Sequence, residues 1–173
     1  MVGNEYLLKV CLFCYPDALL SPALHSYAGS KYYPTQRLSF GVDIPTKRIH
    51  LNNDKIKLIL ADISTNSSFA PQHPRLPRYL RGASAVVFAF SKSNHRFLKA
   101  AIDQYLEFRQ HIPDGPIVFI GLFEEHEVVT HAEGQSLAQE LGAEYFEMAV
   151  NDLQTLDLLL RSLSRKVLAT KHE

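Results

Sequence analysis

Short unbroken apolar runs alternate along this chain with longer stretches in which apolar residues return every three or four positions. Tyr6 to Phe13, Ala85 to Phe90 and Ile117 to Ile120 are runs of the first kind, the pattern of parallel strands covered on both faces. Ala18 to Tyr27 reads as a short helix, with Pro22 tolerable in its first turn. Lys47 to Leu51 and Lys55 to Ala61 flank Asn52-Asn53-Asp54, which reads as a hairpin turn, and Pro45 places the first of this pair at a sheet edge. Phe97, Leu98, Ala101, Ile102, Tyr105, Leu106 and Phe108 recur at helical spacing. A helix around Ala132 to Leu141 ends at Gly142, a strand follows over Glu144 to Met148, and Leu153, Leu156, Leu159, Leu160, Leu163 and Val167 mark a last amphipathic helix. This order predicts an α/β fold: a doubly wound, mostly parallel six-stranded sheet with one antiparallel edge strand.

Composition narrows the function classes more than it narrows the fold. At 173 residues, 46% hydrophobic and 21% charged, the chain is long enough to bury one substantial core, and a single domain over 1–173 is expected. A formal net charge of zero gives no broad attraction to nucleic acid. The chain has no apolar run of membrane-spanning length, and Met1 to Val10 lacks the basic region and long apolar core of a signal peptide. The ending Lys171-His172-Glu173 holds no cysteine for a lipid anchor. A cytoplasmic protein is expected.

Cys11 and Cys14 form a C-x-x-C spacing, but inside a strand pattern, where residues three apart point to opposite faces. Reduced structural thiols are therefore expected, with a redox or small-molecule role as an alternative. Glu124, Glu125, His126, Glu127 and His131 are the densest acidic and imidazole cluster. Its two histidines stand five apart rather than four, which favours a solvated loop over a metal site.

Three phrases then carry a resemblance. Phe40-Gly41-Val42-Asp43-Ile44-Pro45-Thr46-Lys47-Arg48-Ile49, Tyr79-Leu80-Arg81-Gly82-Ala83 and Glu133-Gly134 through Leu141-Gly142-Ala143-Glu144-Tyr145-Phe146-Glu147 resemble stretches of the Ras-like small GTPases, above all the Rab type. The match spans about residues 6 to 168 and implies a P-loop NTPase fold, the Ras-like G domain. None of the three phrases handles nucleotide, so they speak for fold rather than activity.

The motifs that do handle nucleotide in that family are altered here. Where the family has Gly-x4-Gly-Lys-Ser/Thr, this chain reads Cys14-Tyr15-Pro16-Asp17-Ala18-Leu19-Leu20-Ser21, and only Ser21 fits. Cys14 and Leu19 replace glycines, Leu20 replaces the phosphate lysine, Pro16 and Pro22 donate no N–H, and Asp17 adds negative charge. Losing about four charge-assisted hydrogen bonds removes about 6 to 12 kcal/mol of affinity. Ser39 and Asp62 stand at the family's magnesium positions, while Thr65 and Asn66 replace the glycine and glutamine that sense phosphate and orient water. Leu122, Phe123 and Glu125 fall in the base-recognition motif, and Met148, Ala149 and Val150 in its Ser-Ala-Lys partner.

The resemblance therefore implies a pseudo-GTPase without nucleotide, metal or catalytic residues, working as a protein-interaction module or complex subunit. By family analogy a protein partner would use the switch and interswitch surface: Leu38, Phe40, Ile44, Phe69, Arg75, Leu76, Arg78 and Tyr79. Prolines at every third position from 71 to 77 predict a stiff, extended segment there. The alternative is an atypical small GTPase with weak GTP or GDP and magnesium binding, or slow hydrolysis, through Ser21, Ser39, Asp62 and Glu125.

Overall fold

The computed structural model describes residues 2–16, 19–30, 42–63 and 76–172, with the backbone alone at 42, 43 and 76. In chain order the elements are β1 (Glu5–Tyr15), α1 (Ser21–Ala28), β2 (Val42–Asp43), β3 (Thr46–Leu51), β4 (Asp54–Ile63), α2 (Leu76–Leu80), β5 (Ala85–Ser91), α3 (His95–Phe108), β6 (Ile117–Phe123), α4 (His131–Glu140), β7 (Glu144–Ala149) and α5 (Leu153–Lys171). The sheet runs β4-β1-β5-β6-β7 with every pairing parallel, and β2 and β3 lie antiparallel on the outer side of β4. This is the predicted doubly wound α/β sheet.

Its edge strand is continuous in register but broken in pairing. Val42 stands opposite Ile63 and Thr46 opposite Ile59, so β2 and β3 follow a single ladder on β4. Between them Pro45 accepts a hydrogen bond from the Leu60 N–H at 2.9 Å but has no N–H to return. The two segments thus form one edge strand with a proline gap, and six strand positions result. Asn52 turns the hairpin at φ 54, a left-handed conformation that asparagine tolerates.

Because β1 is central and parallel, both of its faces are covered. Leu8, Val10, Leu12 and Cys14 point into a core shared with α1 and α5, where Leu24, Leu156, Leu160 and Leu163 are buried. Cys11, Phe13 and Tyr15 point into the second core with α3, where Phe13 stacks on Phe88 at 5.1 Å between ring centroids. Residues one apart on the strand thus serve opposite layers. Within the first layer, Tyr27 donates to Asp157 at 2.8 Å, and Arg161 bridges Asp157 and the His50 carbonyl, each at 2.8 Å, tying α1, α5 and β3 together.

Helix ends follow local sequence. Thr130 accepts from the Glu133 N–H while Glu133 accepts from the Thr130 N–H, a reciprocal capping box that starts α4. Gly142, at φ 70, closes the same helix. Thr130→Ala should lower stability by about 1 kcal/mol, read as a shift of the urea midpoint without a change in slope.

Candidate functional site

Ligands of open α/β sheets bind beyond the carboxyl ends of the strands. In this chain that rim is built from the ends of β1, β4, β5, β6 and β7. Leu20, at the mouth of α1, contributes no side-chain cap to the helix. Its side chain is 0% exposed and packs in the core that also holds Leu122 and Met148, themselves paired across β6 and β7. Leu19 and Val150 pack against the same cluster. Apolar groups that the sequence aligns with phosphate and base contacts therefore converge in one hydrophobic layer.

Beside this layer lies a polar contact. Ser21 Oγ donates to Asp62 Oδ2 at 2.5 Å, and both residues are buried. The fold brings together two of the three residues that the resemblance aligns with magnesium positions; the third, Ser39, lies outside the described residues. Magnesium dehydrates reluctantly and leans on phosphate oxygens. Among the described residues no three acidic, imidazole or thiol groups converge as metal ligands. The donor set fits a phosphate-borne magnesium poorly, since Leu20 stands in place of the lysine and Pro16 offers no N–H.

The base-side residues separate. Leu122 is buried in the core, whereas Phe123 and Glu125 are exposed. Ser91 donates to Glu124 at 3.2 Å, and Ser93, Glu124, Glu125 and His126 line a shallow concavity of about 340 Å³. Ala149 is half-buried at the end of β7.

The thiols do not form a redox pair. Cys11 and Cys14 point to opposite faces of β1, neither forms a disulfide, and burial pushes the Cys11 thiol up to about 11. Cys11 donates to the Tyr79 carbonyl at 3.2 Å. The C-x-x-C spacing is explained by packing on a strand.

Of the expected docking residues, Leu38, Phe40, Phe69 and Arg75 lie outside the described residues, as do Asp17, Thr65 and Asn66. Ile44 is 56% exposed on the edge strand, Arg78 is exposed and Tyr79 is half-buried. One expectation requires correction: Leu76–Leu80 is a one-turn helix rather than an extended segment. Pro77 lies in its first turn, where the missing N–H costs no helical hydrogen bond.

Sequence reasoning missed an ionic cluster built around a buried lysine next to this rim. Lys92 follows β5 directly; its N–H donates to the Leu122 carbonyl, and its own carbonyl accepts from Val128 and Val129. The buried ammonium of Lys92 pairs with Glu147 on β7 and stands 3.4 Å from Glu127. His131 contacts the other oxygen of Glu147. Burial opposes ionisation of Glu147, but hydrogen bonds from Lys92 and His131 outweigh it and hold the carboxyl below its usual range. Tyr145 closes the cluster, its phenol pushed upward first by burial and then by Glu147 and Glu127. A β-carbon on Gly121 would fall 2.3 Å from the Tyr145 hydroxyl, so a larger residue there would have to push the end of the Tyr145 ring aside. Glu127 and His131 are exposed, as expected of a solvated loop, and each also makes an ionic contact that ties its segment to the sheet.

Lys92→Met should lower stability by about 3 kcal/mol, because it leaves partly buried carboxylates without their cation. Lys92→Met with Glu147→Leu should recover most of that loss in urea unfolding. Since the folded-state pKa of Glu147 lies below its ordinary 4.5, its contribution is present above that value and is lost as pH falls through the folded pKa. Glu147→Gln should therefore flatten the acid limb of the stability curve.

The family model described as Ras family matches residues 21–169. Human Ras-related protein Rab-3A is 23% identical over 171 residues, covering 94% of this chain and 76% of that protein. Ras-related protein SEC4 of Saccharomyces cerevisiae is 22% identical over 170 residues, covering 95% and 78%. Rat GTP-binding protein Rab-3D is 23% identical over 152 residues, covering 86% and 68%. With the model match running from the first turn of α1 almost to the end of α5, the chain belongs to the Ras family.

Proposed function

We propose that this chain is a Ras-family pseudo-GTPase: a member that has given up tight guanine-nucleotide binding and hydrolysis and acts as a protein-interaction module. The carrying observation is the burial of Leu20. The residue that replaces the phosphate lysine is wholly inside the core with Leu122 and Met148. Restoring a phosphate contact there would require withdrawing an apolar side chain and supplying a charge in its place, and burying that charge unpaired is costly. The substitutions at Cys14, Leu19, Thr65 and Asn66 support the same reading from sequence.

A second reading has a specific observation in its favour. Ser21 and Asp62 meet at 2.5 Å where the family places magnesium ligands, and rat Rab-3D carries GTP binding in its name. That reading is a weak nucleotide binder, with magnesium arriving on the phosphates.

The two separate in one experiment. Protein purified without added nucleotide should release no stoichiometric GDP or GTP on denaturation, and a fluorescent GDP titration with magnesium should give a Kd weaker than about 10 μM, a binding free energy of roughly 7 kcal/mol or less. Stoichiometric co-purifying GDP would overturn the proposal. Leu20→Lys alone should not restore binding, because the glycines and the base motif remain absent.

The interaction role rests on the exposed residues of the interswitch side. Ile44→Ala with Arg78→Ala should change stability by only about 0.5 kcal/mol per site, read by urea unfolding. The same pair should reduce recovery of bound proteins in a pull-down, since truncating a hot spot typically costs about 2 kcal/mol. Undiminished recovery would move the interface elsewhere.

A further inference from the structure

The net charge of zero conceals a strong asymmetry. Residues 1–90 carry ten Lys and Arg against five Asp and Glu, whereas residues 91–173 carry eight against thirteen. Part of the basic excess is concentrated on one face of the sheet.

That face is the lower half of the β1, β4 and β3 strands, on the same side as Cys11 and Phe13. The ladders define three rows: Glu5, Lys55 and His50; Leu7, Lys57 and Arg48; Lys9, Ile59 and Thr46. Leu7, at the β1 end of its row, is 59% exposed, so no helix among the described residues covers it. Next to it Lys9 donates to the Arg81 carbonyl at 3.0 Å, which brings the turn after α2 alongside the rows.

Two features make the patch more than a solvated surface. Arg48 stands directly opposite Lys57, and His50 opposite Lys55, on an antiparallel ladder. Like charges in directly opposed positions destabilise a sheet. Lys55 is relieved by Glu5 at 3.8 Å, while Arg48 and Lys57 make no ion pair among the described residues. The cations Arg48, Lys55 and Lys57, with Glu5 and His50, also line a concavity of about 340 Å³.

We propose that this half-face binds an extended acidic segment of a partner protein. Its carboxylates neutralise the Arg48 and Lys57 pair, and an apolar residue covers Leu7. A lipid bilayer is the poorer occupant, because it is flat where the cations line a hollow, and Glu5 would face its anionic surface. The site lies at the opposite end of the strands from the nucleotide rim, and Ile44, two residues before Thr46 on the same edge strand, borders it. The site's failure would leave the pseudo-GTPase reading intact, and retained nucleotide binding would leave this site intact.

The test uses a fluorescein-labelled decapeptide of alternating Glu and Leu, titrated by anisotropy against the whole chain at low salt. Binding should weaken as salt rises. Arg48→Glu with Lys57→Glu should weaken it by at least about tenfold. Arg109→Glu with Arg165→Glu, which changes net charge equally at exposed positions outside the patch, should leave it within about twofold. Lys57→Glu alone should raise the urea midpoint, because it turns a cross-strand repulsion into an attraction. Binding and stability then move in opposite directions, which a purely structural role would not produce. Absence of peptide binding would overturn the proposal, as would equal loss in both double variants. So would a fall in midpoint for Lys57→Glu, or sedimentation with phosphatidylserine-rich vesicles that the peptide does not displace.

Discussion

Burial of β1 on both faces is the constraint from which the rest of the architecture follows. A parallel strand whose alternate side chains both leave water needs a helix layer on each side. Leu8 to Cys14 supply one layer and Cys11 to Tyr15 the other. Every further strand takes its position from β1, through β4 on one side and β5 on the other. The crossover helices must therefore divide between two faces, and the carboxyl ends of the parallel strands collect at one rim. The candidate site sits at that rim because of the topology, whatever the local residues have become.

Much of this was legible in sequence because it is carried by local, periodic signals. The apolar runs of β1, β5 and β6, the helical spacing of α3 and α5, and the turn at Asn52 each declare themselves within a dozen residues. Boundaries moved outward in places: β6 extends to Phe123 and α5 to Lys171. The proline at 45 signalled an edge strand, and its carbonyl still pairs while its nitrogen cannot. The one-turn helix at Leu76–Leu80 was not legible. Proline is compatible both with an extended segment and with the start of a helix, and only tertiary context decides between them.

The polar part of the site was harder to read, for a physical reason. Lys92, Glu127, His131 and Glu147 come from three separate stretches, and nothing periodic links them. A lysine after an apolar run looks solvated until the sheet places two carboxylates around it. The Ser21 and Asp62 contact was anticipated only through family resemblance, since 41 positions separate the two residues. Chemistry assembled from distant residues leaves little trace in a local pattern.

Leu20 has a consequence for how the fold is sustained. A protein that holds a ligand in its cleft gains stability by mass action, in proportion to the logarithm of free ligand over its dissociation constant. An apolar side chain sealed into the same region is supplied by the chain itself. Its contribution does not vary with nucleotide supply, with the ratio of triphosphate to diphosphate, or with magnesium. On the pseudo-GTPase reading proposed above, the rim of this fold is stabilised from within, and its conformation is uncoupled from the energy charge of its surroundings.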